Sequence, residues 1–178
     1  EGNLSLTGGN NPSKAFSSTI AVNSGKYYAE FYLESVGYPT ASVADVSMWV
    51  GGYGTGHAGR VEGDGVITYD IKATDGSGGN GQYYVNSTSA TTTNVGITAS
   101  AGDIIQVAFD ADTRKVWFGR NNTWNGSGDP EDGTNDVGVV AGTDALAVLL
   151  RSENATTVVN FGQDPTFEGS KTSGQDTS

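Results

Sequence analysis

Short runs in which apolar and polar residues alternate recur from one end of the chain to the other. A period of two is the mark of β-strands with one face turned to a core. Tyr27, Ala29, Phe31 and Leu33 fall on one side of such a run, and Tyr28, Glu30, Tyr32 and Glu34 on the other, as in an antiparallel strand with one wet face. Leu4 and Leu6 alternate with polar neighbours and end at the turn cluster Gly8-Gly9-Asn10-Asn11-Pro12. Lys14 to Val22 is a weaker strand, and Val46, Met48 and Val50 form another that stops at Gly51-Gly52. Val66 to Ile71, Gln82 to Val85, Thr93 to Thr98 and Thr157 to Phe161 read the same way. Ile104 to Phe109 and Lys115 to Phe118, joined by a polar connector, carry the clearest hairpin pattern, with Ile105, Val107 and Phe109 sharing one face. Ala145 to Leu150 fits a helical turn by periodicity, but its length argues for a strand. Between the strands, Asp75 to Gly81 has almost no capacity to pack, and Asn121 to Val137 reads as a long polar loop.

Composition narrows the class. Twenty-seven glycines among 178 residues, with abundant Ser, Thr and Asn, suit an all-β protein with many turns. No substantial helix is expected. The length suits one domain able to bury about 70 % of its unfolded surface. A formal net charge of −11, with only nine Lys and Arg, argues against nucleic acid, whose binding depends on neutralising phosphates. The absence of cysteine excludes disulfides and thiolate metal sites. No run is long enough to span a membrane as a helix, so no membrane insertion is expected. The chain opens on Glu1 and closes on a Gly/Ser/Thr-rich stretch. The expected organisation is one sandwich domain over residues 1–169 and a flexible linker over 170–178, continuing into a longer parent protein.

Three segments, in order, resemble the SPRY domain family: Ser24-Gly25-Lys26-Tyr27-Tyr28-Ala29-Glu30-Phe31, Gly102-Asp103 through Phe118, and Asn160-Phe161-Gly162-Gln163. The resemblance covers roughly residues 1–167. Asn121-Asn122-Thr123-Trp124, followed by Gly128-Asp129-Pro130 and Gly133-Thr134-Asn135, is similar to the variant found in structural proteins of tailed phages. The resemblance implies an all-β, antiparallel, two-sheet jelly-roll sandwich of concanavalin-A-like type, which recognises other macromolecules through its loops and performs no chemistry.

Candidate sites follow from residue type and place. Tyr53, His57 and Arg60 in one loop, and Trp124 with Asn125 in another, are ligand-binding candidates, since Tyr, Trp and Arg are enriched at recognition hot spots. Trp124 could equally fold back as a lid, whereas Trp49 and Trp117 lie in strands and read as core. Asp129, Glu131, Asp132, Asn135 and Asp136 concentrate oxygen donors that a hard cation such as calcium could use, but their spacing is not that of an EF-hand and Asp and Asn also favour turns. Asp110 and Asp112 sit in the hairpin connector, where turn formation is the simpler role. Glu62-Gly63-Asp64 lacks the pair of strand-borne acids that glycoside cleavage requires. His57, the single histidine, has no nucleophile-elbow pattern around it, and its glycine-rich surroundings lack the Lys-Ser/Thr of a phosphate loop. The Asn-x-Ser/Thr triplets at Asn86, Asn121, Asn125 and Asn154 are expected by chance in such a composition.

The expected function is a non-enzymatic structural or adhesion module on the surface of a phage virion, in a fibre, tail or capsid-decoration protein. It would bind host-surface glycan or protein, or neighbouring virion subunits, and act in many copies through its parent protein. No cofactor is expected, calcium being the one candidate. The rivals are a calcium-dependent carbohydrate-binding jelly roll and an intracellular SPRY adaptor for protein–protein interaction.

Overall fold

The computed structural model describes residues 4–8, 14–36, 44–52, 65–73, 79–87, 92–162 and 167. Thirteen strands run in chain order: β1 Leu4–Thr7, β2 Lys14–Ser17, β3 Lys26–Val36, β4 Ala44–Gly52, β5 Val66–Ala73, β6 Gly79–Val85, β7 Thr92–Ala99, β8 Ile104–Asp110, β9 Lys115–Arg120, β10 Thr123–Trp124, β11 Gly138–Val139, β12 Leu146–Glu153 and β13 Ala155–Asn160. Among the described residues the helical content is one 3₁₀ turn, Asn125–Ser127. The strands form two antiparallel sheets. The first has the order β1-β13-β3-β8-β9-β10, with β11 also paired to β9, and the second has the order β2-β12-β4-β5-β6-β7. The fold is therefore the antiparallel jelly-roll sandwich that the strand pattern and the resemblance implied. The proposed linker, residues 170–178, lies outside the described residues.

The core lies between the sheets and is built by strand periodicity. Ala29, Phe31 and Leu33 of β3, Ile105, Val107 and Phe109 of β8, and Val116 and Phe118 of β9 face Val46, Met48 and Val50 of β4, Ile67, Tyr69 and Ile71 of β5, and Leu146, Val148 and Leu150 of β12. The Ala145–Leu150 run is indeed a strand, and it pairs with both β2 and β4. At one end of the core Tyr69, Tyr83 and Phe118 form a ring cluster with centroids 5.4 to 5.7 Å apart. Such packing favours aromatic pairs beyond the area they bury.

Three findings extend or correct the reading of the sequence. First, the shared face of Ile105, Val107 and Phe109 is buried as read, and the opposite face of β8 is buried as well. Second, both strand tryptophans are buried, yet neither lies between the sheets. Trp49 packs with Val66, Ala147 and Leu149 in a separate cluster, and Trp117 lies on the face of β9 opposite Val116 and Phe118. Third, Gly79 to Gly81 belong to β6, where a missing side chain is itself the packing device. A Cβ on Gly81 would stand 2.3 Å from the Tyr69 ring.

The β8–β9 connector shows what its acids do. Asp110 accepts hydrogen bonds from the N–H groups of Asp112 (2.9 Å) and Thr113 (3.2 Å), and Asp112 accepts one from the N–H of Gly25 (2.9 Å). Desolvation raises the Asp110 pKa, but hydrogen bonds from Thr113 and Asp112, with Lys26 nearby, outweigh it and hold the carboxyl below its usual value. A depressed pKa stabilises the fold fully above the unfolded-state value, near 3.9, and that contribution is lost as pH falls through the lower folded value. Asp110→Asn is therefore expected to weaken the acid dependence of stability below about pH 4. Denaturant titrations at pH 7 and pH 3 measure it; identical pH slopes in both proteins would refute the assignment.

Candidate functional site

Residues 121–137, read above as a polar loop, form with Gly138 and Val139 an ordered excursion laid over the outer face of the first sheet. Within it β10 pairs back onto β9, the 3₁₀ turn follows, Asp129 and Thr134 form a β-bridge, and β11 returns to β9. Composition alone does not explain this order; cations and one indole do. Lys26 Nζ donates to the carbonyls of Pro130 and Glu131, Lys115 Nζ to that of Gly133 (2.7 Å), and Trp117 Nε1 to that of Thr134 (2.8 Å). Arg114, whose backbone is left-handed (φ 62°), spreads its guanidinium over the carbonyls of Val140 (2.8 Å), Asp144 (2.8 Å) and Ala141 (3.2 Å). Three of the nine cationic residues thus satisfy loop carbonyls, which otherwise would have no strand partner.

The excursion and the sheet enclose a cleft of about 450 Å³, within the range of small-ligand sites. Lys26 and Tyr28 of β3, Gln106 and Ala108 of β8, and Trp117 of β9 line it from the sheet, and Asn122, Trp124 and Gly128 to Glu131 from the excursion. Two glycines make the geometry possible. A Cβ on Gly119 would stand 3.0 Å from Trp124 Cε3, and one on Gly128 would stand 2.9 Å from Trp117 Cδ1. Trp124 therefore lies close over bare backbone, half-buried, with its ring edge-on to Tyr28 at 6.2 Å. It is both a lid on the sheet and a wall of the cleft.

A polar network holds that wall from behind. Gln106, which is 1 % exposed, donates from Nε2 to the Tyr28 hydroxyl (3.0 Å) and accepts the N–H of Asn122 on Oε1 (2.7 Å). The Tyr28 hydroxyl donates to the buried Glu30 (2.9 Å), whose other oxygen accepts from Asn160 Nδ2 (3.2 Å). Networks of this kind fix side chains in one arrangement when their members are paired. Asn121 anchors the start of the excursion by accepting the N–H of Ile104 (2.9 Å) and donating to Asp103 (2.6 Å).

Of the residues singled out as ligand contacts, Tyr53, His57 and Arg60 lie outside the described residues. Trp124 lines the cleft. Asn125 faces inward instead, donating from Nδ2 to the Tyr83 hydroxyl (2.6 Å). Burial pushes the pKa of that hydroxyl up, against the Asn125 hydrogen bond, which works the other way. The oxygen-rich stretch is committed to the excursion's own architecture. Asp129 accepts the N–H of Asp132 (3.0 Å), Asn135 donates to Ser127 O (3.0 Å), Asp136 lies 3.4 Å from Lys115, and Glu131 is exposed. Among the described residues no three acidic or imidazole side chains converge as metal ligands would. Lys26, Tyr28, Gln106 and Asn122 escaped the sequence reading. One signal was present in Gln106, a polar residue set among the apolar ones of β8.

No protein-family model and no curated protein matches the chain. Among solved structures it is similar to the SPRY domain of human HERC1, with 17% sequence identity, a TM-score of 0.50 and coverage of 86% of each chain. At that identity the likeness concerns architecture: the fold is SPRY-like.

Proposed function

We propose that the chain is a non-enzymatic binding module, serving as a structural or adhesion unit at the surface of a phage particle. It meets host-surface glycan or neighbouring virion subunits through the excursion at 121–139 and through the loop carrying Tyr53, His57 and Arg60. The observation that carries the reading is the tied-down excursion, which holds Trp124 over an open cleft before any ligand arrives. Preorganisation of this kind reduces the ordering cost of binding. The virion setting rests on the similarity of Asn121-Asn122-Thr123-Trp124 and the segments after it to tailed-phage structural proteins.

Binding suits the cleft better than catalysis. Its two acids are Asp129, engaged in its own turn, and Glu131, which is exposed. Glycoside cleavage needs two carboxylates facing each other across the substrate, and these two stand two positions apart within the turn that the Asp129–Thr134 bridge closes. The −11 charge of the chain supports solubility and spacing when many copies are displayed.

Trp124→Ala is expected to weaken attachment of the multimerised chain to host cells or to purified virion subunits by about tenfold or more. The melting temperature is expected to stay within a few degrees, because Trp124, unlike Trp117, is only half-buried. Flow cytometry and surface plasmon resonance read the two kinds of target. Unchanged attachment by Trp124→Ala and by a Tyr53→Ala/Arg60→Ala pair would reject these surfaces.

A further inference from the structure

We infer that the cleft beneath the excursion is a subsite for an uncharged sugar residue, a ligand class that rests on the reading of the chain as a binding module. Its chemistry is a half-buried aromatic pair, Tyr28 and Trp124, bordered by hydrogen-bonding groups with capacity to spare. The Trp124 indole N–H and the Asn122 side-chain amide have no partner among the described residues. Gln106 uses one Nε2–H on Tyr28 and has a second available, and it is 1 % exposed, so its amide is desolvated and fixed. The exposed carboxylate of Glu131 supplies an acceptor at the mouth.

A pyranose presents an apolar C–H face and a rim of hydroxyls, each able to donate and accept. Aromatic side chains with a polar handle, set beside fixed amides, complement both parts. Acidic ligands fit poorly. Among the described residues the one cation lining the cleft, Lys26, already donates to two backbone carbonyls, and two carboxylates line the same cleft. An extended peptide fits poorly as well. The cleft opens over β3 and β8, each hydrogen-bonded to strands on both sides, so neither of these two strands offers a free backbone edge for strand addition.

The experiment titrates the whole chain with neutral oligosaccharides of glucose, galactose and N-acetylglucosamine, and with the same oligosaccharides capped by sialic acid or sulfate. Isothermal calorimetry gives affinity and tryptophan fluorescence reports the environment of the indoles, both with and without EDTA. The expected result is binding of at least one neutral series, weaker binding of its acidic counterpart, and no effect of EDTA. Affinity should fall at least about thirtyfold in Trp124→Ala. It should fall about tenfold in Asn122→Gly, which removes the amide while keeping a residue suited to φ 64°. Binding lost in EDTA would replace the proposal by a cation-dependent site. Equal or tighter binding of acidic sugars, or wild-type affinity in both variants, would overturn it. Attachment to virion subunits or host cells with no affinity for any neutral oligosaccharide would overturn the sugar subsite and leave the binding-module reading standing; loss of both would end that reading too.

Discussion

Trp117→Ala is expected to lower the unfolding free energy by about 3–5 kcal/mol, the range for removing a large buried aromatic. Trp117 is 1 % exposed although it lies on the outer face of its sheet. Its burial is supplied by the excursion: Gly128 passes so close that a Cβ there would stand 2.9 Å from Cδ1, and Nε1 donates to Thr134 O. Truncation therefore opens a cavity and removes one of the two hydrogen bonds that Thr134 O accepts, leaving the one from the Asp129 N–H. The excursion should loosen before the sandwich does. Limited proteolysis within residues 121–139, compared with urea unfolding of the whole domain, separates the two effects. Trp117→Phe keeps most of the volume and loses the hydrogen bond, for an expected loss of roughly 1–2 kcal/mol. A loss under about 1 kcal/mol in the alanine variant, set against that range, would show that the excursion does not lean on this residue.

Gly81→Ala carries the second large effect. The added methyl would lie 2.3, 2.6 and 2.8 Å from Cε2, Oη and Cζ of Tyr69. That ring cannot step aside, because it is fully buried and packed against both Tyr83 and Phe118. Overpacking of this kind costs typically about 1–3 kcal/mol, and the upper end is expected where the neighbour is locked. The test is a double-mutant cycle. In a Tyr69→Ala background the cavity receives the new methyl, so Gly81→Ala should become nearly neutral there. Equal losses in both backgrounds would mean that the clash is relieved elsewhere.

The two predictions mark where the sequence stopped being legible. The hydrophobic alternation of β3, β4, β5 and β8 was readable residue by residue, because a strand exposes its two faces at alternate positions and only one can meet the opposite sheet. What covers the other face is a matter of chain return. Nothing in the order Asn121 to Val137 shows that Lys26, 104 positions before Pro130, will bind the carbonyls of Pro130 and Glu131, or that Trp117 will reach Thr134 O. The same holds for Gly81, whose neighbours in sequence suggest a stretch with little capacity to pack and whose neighbour in space is an immovable ring. Of the candidate site, Trp124 was accessible to sequence reasoning as a residue type. The placement of Asn125 was not, since its inward hydrogen bond to Tyr83 depends on how the 3₁₀ turn is set down.

By itself the sequence determined the class: a strand-built, glycine-rich, acidic chain without thiols, patterned for two facing layers. Local preference and periodicity suffice for that, because they act between neighbours along the chain. Tertiary structure alone decided that a polar stretch becomes a braced cover, that two tryptophans are buried outside the central core, and that Tyr28, Gln106, Asn122 and Trp124 meet around one cleft. Those outcomes depend on hydrogen bonds and contacts between distant segments, and each forms only once the sheets have brought its partners within reach.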